Sequence, residues 1–318
     1  MFTTILFLIL GLAVLVGGAE LLIRGASSLA KRLGVSSLII GLTVVAIGTS
    51  APELFVNIFA SIRGHVDIGL GNILGSNITN ILLVLGLSAT LVPIAVHHSV
   101  VRREIPFALL AMIFLLIVSN DLFLRGTPSY IDRVDGVVFI TLFAVFIYYL
   151  ATVRKKFFER PLDGVQVYSL SLTWGYILAG GVLLYLGGNL LVDHAVILAK
   201  SAGVSDALIG LTIIAIGTSL PELTTSLLAL RHHHDDMAIG NIVGSNILNI
   251  FLILGITSII NPIAFNTMLN VDILIGIVAT LLLIAAVFTG KRNTIDKWQG
   301  VLFIMLYVLY IGYLIQRG

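Results

Sequence analysis

The sequence predicts an all-α polytopic membrane protein with ten transmembrane helices, arranged as two inverted five-helix repeats. Three observations carry that prediction. Of 318 residues, 58% are hydrophobic and 11% charged, where soluble domains hold about 25% charged residues; mean hydropathy is +1.10. Apolar runs of roughly 20 residues recur, each long enough as a helix to cross a ~30 Å hydrocarbon core. Finally, GLTVVAIGTSAPEL at 41–54 returns as GLTIIAIGTSLPEL at 210–223, and GNILGSNITN at 71–80 returns as GNIVGSNILN at 240–249, both at a shift of 169.

The apolar runs place spans near 2–23, 36–62, 68–93, 105–119, 134–153, 169–198, 205–230, 237–261, 268–289 and 297–315. The first lacks a basic leader and a small-residue cleavage site, so it reads as a span and not as a signal peptide. Runs longer than about 20 residues imply tilt or interruption. The organisation is a first repeat over 1–154, a cytoplasmic linker over 155–167 and an inverted second repeat over 168–318. The join from Arg154 to Gly164 is short and charged, which suits a linker.

Five spans per copy force the second copy to enter the membrane upside down. Basic residues, enriched on the cytoplasmic side, test this. With the N-terminus outside, 13 fall inside and 5 outside; the inner set includes Arg24, Arg102, Arg103, Lys155 and Arg231, and the outer set is Arg63, Arg125, Arg133, Lys200 and Arg317. Both termini are therefore expected outside, in a prokaryotic cytoplasmic membrane. A net charge of +2 leaves no nucleic-acid footprint, and with no cysteine there is no disulfide or thiolate metal site.

Within each copy, polar residues sit where apolar ones belong. Pro52 and Pro221 have no N–H, and in a continuous helix their rings clash with the carbonyls of Gly48 and Gly217. A break there frees carbonyl oxygens, which is tolerated only inside protein or beside a wet cavity; broken helices make ion sites in many transporters. Thr49, Ser50 and Glu53 fall within one turn, as do Thr218, Ser219 and Glu222; Ser76 and Asn80 are spaced i, i+4, as are Ser245 and Asn249. All are oxygen donors, the ligands that hard cations such as Ca²⁺ prefer. A lone membrane Ser or Thr usually bonds its own backbone, and Gly75 and Gly244 are of the type that serves helix packing. Glu53 and Glu222 resist that bland reading, because a charge at the bilayer centre costs at least about 2.5 kcal/mol.

The two GTSxPEL blocks, each followed by GNxxGSN, resemble the alpha repeats of the cation/calcium antiporters of the sodium/calcium exchanger type. The resemblance covers essentially the whole chain and is nearest to short prokaryotic members without a large cytosolic regulatory domain. It implies inverted halves around four ion sites, with Glu53 and Glu222 shared by Ca²⁺ and Na⁺. Thr49, Ser50, Thr218, Ser219, Ser76 and Ser245 would supply hydroxyls and Ala46 and Ala215 carbonyls, while Asn80 and Asn249 would face the centre. Sliding of the first and sixth spans would alternate access. Well-studied members hold an aspartate at one of the positions matching Asn80 and Asn249. With two amides the core carries −2, so the driving ion (Na⁺, K⁺ or H⁺) stays open, as does its stoichiometry; a buried carboxyl whose pKa is raised could carry the proton.

The expected protein is thus not an enzyme and has no cofactor; its partners are metal cations and lipid, and it works as a monomer. No catalytic pair or GxxxxGK loop appears, and a channel scaffold ordinarily rings a pore with identical subunits. The tract from His232 to Asp236 reads as a solvated loop, Glu20 and Arg24 as a structural ion pair, and His97, His98, Arg102 and Arg103 as interfacial anchors. Asp67 and Asp236 read as helix caps, and Tyr307, Tyr310 and Tyr313 as interface aromatics.

Overall fold

Helices account for most of the described residues in a computed structural model, which describes residues 2–62, 66–97, 100–120, 129–153, 165–201, 215–291 and 293–317. The first, α1 (Phe2–Leu33), ends where Gly34 turns to φ +62°, with Lys31 and Arg32 in its last turn complementing the helix dipole. The Ser36 side chain caps α2 (Ser37–Thr49), which bends by 45° into α3 (Ala51–Ile62). The next helix, α4, runs over 66–91 through a π turn at Asn80–Leu85. After β1 (Ile94–Ala95), a π turn at Val100–Glu104 leads into α5 (Ile105–Val118), and β2 (Tyr130–Ile131) precedes α6 (Arg133–Val153).

In the second half come α7 (Leu170–Ser201), a single turn Ala215–Thr218, and α8 (Leu220–Arg231). The helix α9 covers 235–260 with a π turn at Asn249–Leu254. Then follow β3 (Ile263–Ala264), α10 (Asn270–Phe288), β4 (Thr294–Ile295) and α11 (Lys297–Arg317). Two-residue strands join the halves: β1 pairs antiparallel with β4, and β2 with β3.

Among the described residues seven helices are long and apolar enough to cross a membrane, and the bent pair α2–α3 makes an eighth. The expected span at 105–119 is the 14-residue α5, whose N-terminal extension is a π turn carrying Arg102, Arg103 and Glu104. The expected span at 205–230 begins in 202–214, outside the described residues, as do the join 154–164 and His98; the Asp67 side chain is likewise not described.

Burial sorts the helices. The apolar windows of α4 and α9 are 78% and 83% buried, against 28% for α1 and α7. The two GNxxGSN helices therefore form the centre, and α1 and α7 lie outside, packed on each other. Tyr307 and Tyr310 depart from the expected interface role. Both are buried, Tyr307 hydroxyl to hydroxyl with Thr79 at 3.2 Å, Tyr310 donating to Asp272 at 3.0 Å. Asp272 in turn accepts from Arg317 at 2.7 Å, and its side chain is only 3% exposed. Removing Arg317 strands that carboxylate, which costs about 3–5 kcal/mol. Arg317→Gln is thus expected to lower the thermal midpoint in detergent well below that of Asp272→Asn, which strands no buried anion; equal midpoints would refute this.

Candidate cation site

The two TSxPE segments break at serine. Ser50 sits at φ −85°, ψ 6° and Ser219 at φ −91°, ψ 5°, in the sparsely populated bridge region where functional residues collect. The break lets Pro52 and Pro221 lie in the first turn of α3 and α8, where a missing N–H is tolerated. The break expected from proline is therefore present in both copies, with Ser50 and Ser219 in the same backbone conformation.

Each break delivers its side chains to the other half of the chain. Ser50 Oγ lies 2.9 Å from both Glu222 Oε1 and Ser245 Oγ. Thr49 Oγ1 lies 3.0 Å from Asn241 Oδ1, and Thr218 Oγ1 3.4 Å from Asn72 Oδ1, an equivalent contact with the copies exchanged. Glu53 and Glu222 are each 1% exposed, and Ser50, three residues before Glu53, bonds Glu222 directly. The structure therefore brings Ser50, Glu222 and Ser245 into direct contact, with Thr49 on Asn241 of the same helix as Ser245; Glu53 follows Ser50 by one turn, Thr218 and Ser219 lie at the second break, and Ser76 is on α4. Ala46 is already engaged, since its carbonyl accepts from the Ser50 N–H at 2.9 Å and lies 3.3 Å from Thr49 Oγ1. The Ala215 side chain lies outside the described residues.

Asn80 and Asn249 belong to a ring of four amides. Asn80 Nδ2 donates to Asn246 Oδ1 at 3.0 Å, and Asn249 Nδ2 to Asn77 Oδ1 at 2.9 Å. Asn77 and Asn246 in turn donate to each other's backbone carbonyls, at 3.3 and 3.2 Å. These two asparagines, with Asn72 and Asn241, escaped the sequence reading. Their signal was present: all four are repeated at the 169-residue shift inside the GNxxGSN block.

The arrangement leaves buried oxygen unpaired. Among the described residues, Glu53 Oε2, Glu222 Oε2, Ser76 Oγ, Ser219 Oγ, Asn80 Oδ1 and Asn249 Oδ1 have no hydrogen-bond partner. A buried acceptor without a donor costs about 1–3 kcal/mol. These are six of twelve such side-chain atoms among the described residues, and all six are oxygens, the donor type that hard cations take. No group of three or more His, Cys, Asp or Glu among the described residues is arranged to hold a metal. Of the loop tract, His232 Nε2 meets Glu20 Oε2 at 2.9 Å, joining the Glu20–Arg24 pair, whose separation is 2.7 Å. Burial pushes the His234 imidazole below its usual pKa, which favours the neutral ring.

The sequence profile of the sodium/calcium exchanger protein family matches residues 3–152 and 172–316. The chain is 32% identical over 346 residues to the sodium/calcium exchanger MaX1 of Methanosarcina acetivorans, covering 96% of this chain and 97% of that one. It is 37% identical over 290 residues to the inner membrane protein YrbG of Escherichia coli K12, covering 86% and 87%. Its fold is similar to that of the sodium-calcium exchanger NCX_Mj soaked with Na⁺ and Sr²⁺, with a TM-score of 0.81, 33% identity and 97% of each chain covered.

Proposed function

We propose that this chain, which belongs to the sodium/calcium exchanger protein family and is accordingly a membrane-embedded cation/Ca²⁺ antiporter and not an enzyme, couples Ca²⁺ to Na⁺ by alternating access. The observation that carries the reading is that Glu53 and Glu222, both buried in the repeated TSxPE segments, each keep one carboxylate oxygen without a hydrogen-bond partner among the described residues, as Ser76, Ser219, Asn80 and Asn249 each keep a side-chain oxygen. Two carboxylates neutralise one Ca²⁺, and the same oxygens suit Na⁺ once Ca²⁺ has left. Thr49, Ser50, Thr218, Ser219, Ser76, Ser245, Asn80 and Asn249 complete the ligand set in this reading. Na⁺ is favoured over K⁺ or H⁺ because MaX1 and NCX_Mj are sodium exchangers.

The same reading takes the chain as ten crossings, two inverted repeats over 1–154 and 168–318 joined by 155–167, with both termini outside and one chain per transporter. Strand pairing supports it through parity. Strands β1 and β3 are equivalent under the 169-residue shift, yet β1 pairs with β4 and β3 with β2. With ten crossings, six separate β1 from β4 and four separate β2 from β3, so each pair shares a face. Five separate β1 from β3, so equivalent strands lie at opposite faces, as inversion requires. For the moving part, the outer pair α1–α7 passes over the breaks: a Cβ built at Gly48 would lie 3.3 Å from Leu22, and one at Gly217 would overlap Val192. These glycines give the pair a smooth track.

The deciding experiment is ⁴⁵Ca²⁺ uptake into proteoliposomes loaded in turn with Na⁺, K⁺ or acid. Na⁺-loaded vesicles are expected to accumulate Ca²⁺ and the others to stay at background. Uptake driven equally by K⁺ or acid would overturn the sodium coupling.

A further inference from the structure

We infer that Asn77 and Asn246 are positioning residues that turn the carbonyl oxygens of Asn80 and Asn249 toward the cation. A side-chain amide reads the same by shape in either orientation, so the direction of Asn80 and Asn249 has to come from their partners. The partners here leave no choice. Asn77 Nδ2 faces the Asn246 backbone carbonyl, and Asn246 Nδ2 faces that of Asn77. A backbone carbonyl only accepts, so the atom facing it must be the NH₂ in each case. That fixes Asn77 Oδ1 and Asn246 Oδ1 as the atoms turned toward Asn249 and Asn80. Two oxygens cannot face each other, so Asn249 and Asn80 each present NH₂ to the ring. Their own oxygens then point away from it, buried and unpaired.

The ring lies between the two central helices and holds one ligand amide from each copy. It is anchored on backbone, which does not rotate. Without Asn77, nothing prevents Asn249 from turning its NH₂ to the cation, where a partial positive charge repels it. The loss of such an outer partner costs about 10–100-fold in metal affinity.

This inference rests on Asn80 and Asn249 as ligands, and the experiment separates the two. Equilibrium ⁴⁵Ca²⁺ binding is measured on the purified full chain. Asn77→Ala is expected to weaken Ca²⁺ binding about tenfold. Asn249→Asp supplies a carboxylate, both of whose oxygens accept, so it needs no orientation; in that background Asn77→Ala is expected to leave the affinity unchanged or tighter. A merely structural Asn77 would weaken both backgrounds by the same factor, and that result overturns the inference, as does an unchanged affinity in Asn77→Ala itself. Asn249→Ala with wild-type Ca²⁺ binding would instead remove Asn249 from the ligand set. Should Asn77→Ala fail to fold, Asn246→Ala with and without Asn80→Asp asks the same question on the other side of the ring.

Discussion

Glu53→Gln and Glu222→Gln are each expected to reduce Ca²⁺ exchange by at least about 100-fold, in proteins that still fold. A unit charge at 4 Å contributes about 4 kcal/mol at an effective dielectric of 20, and a divalent ion doubles that; every 1.4 kcal/mol is a factor of ten. Glutamine keeps the shape and one acceptor oxygen, so the loss isolates the charge. The ion-free protein should behave differently. Both carboxylates are 1% exposed, so a charge on either is held out of water. Glutamine removes that buried charge, so each variant is expected to be at least as heat-stable as wild type without Ca²⁺. Wild type should then gain about 2.7 kcal/mol at a Ca²⁺ concentration of 100 Kd, and the variants nothing. The measurement is the thermal midpoint against Ca²⁺ concentration. A Glu53→Gln protein stabilised by Ca²⁺ as wild type is would show that the carboxylate does not bind it.

Much of this site was legible in the sequence because duplication marks it. Glu53 and Glu222 stand out as charges in apolar runs, and the proline that follows each TS pair announces the break. What the sequence hid is the exchange of partners between copies. Thr49 meets Asn241 and Ser50 meets Glu222, 192 and 172 residues away; local spacing says nothing about such contacts. The role of Asn77 and Asn246 was hidden for the same reason, since each serves the ligand of the opposite copy. The π turns that begin at Asn80 and Asn249 also escaped, because a 3.6-residue period assumes a regular helix. Tyr307 and Tyr310 looked like interface aromatics by composition, yet α11 turns both inward to Thr79 and Asp272. His232 read as a loop residue, and only the fold brings it to Glu20.

Gly180→Leu should abolish exchange, and even Gly180→Ala should slow it severalfold. Gly180 of α7 faces Gly18 of α1, and a Cβ at Gly180 would lie 2.6 Å from the Leu22 backbone nitrogen and 2.8 Å from the Gly18 carbonyl oxygen. A Cβ at Gly18 would lie 2.7 Å from the Leu184 nitrogen. These are backbone atoms and cannot swing aside, so the helices must separate. Between lipid-facing helices no hydrophobic gain holds the pair together; close packing does, and small residues permit it. Overpacking of this kind costs about 1–3 kcal/mol, and separation also forfeits dispersion contacts along the helices. The functional cost exceeds the stability cost if α1 and α7 move as one body, because Leu22 rides over Gly48 at the first break and Val192 over Gly217 at the second. A control lies on each helix. A Cβ at Gly17 or Gly175 meets nothing within 4 Å, and alanine there removes up to about 1 kcal/mol of glycine's helix penalty. Gly17→Ala and Gly175→Ala should therefore exchange at the wild-type rate with an equal or higher thermal midpoint. Initial rates of ⁴⁵Ca²⁺ uptake for the four variants, normalised to reconstituted protein, decide the matter: a Gly180→Ala protein as active as Gly175→Ala would mean that α1 and α7 need not stay in contact for the transporter to cycle.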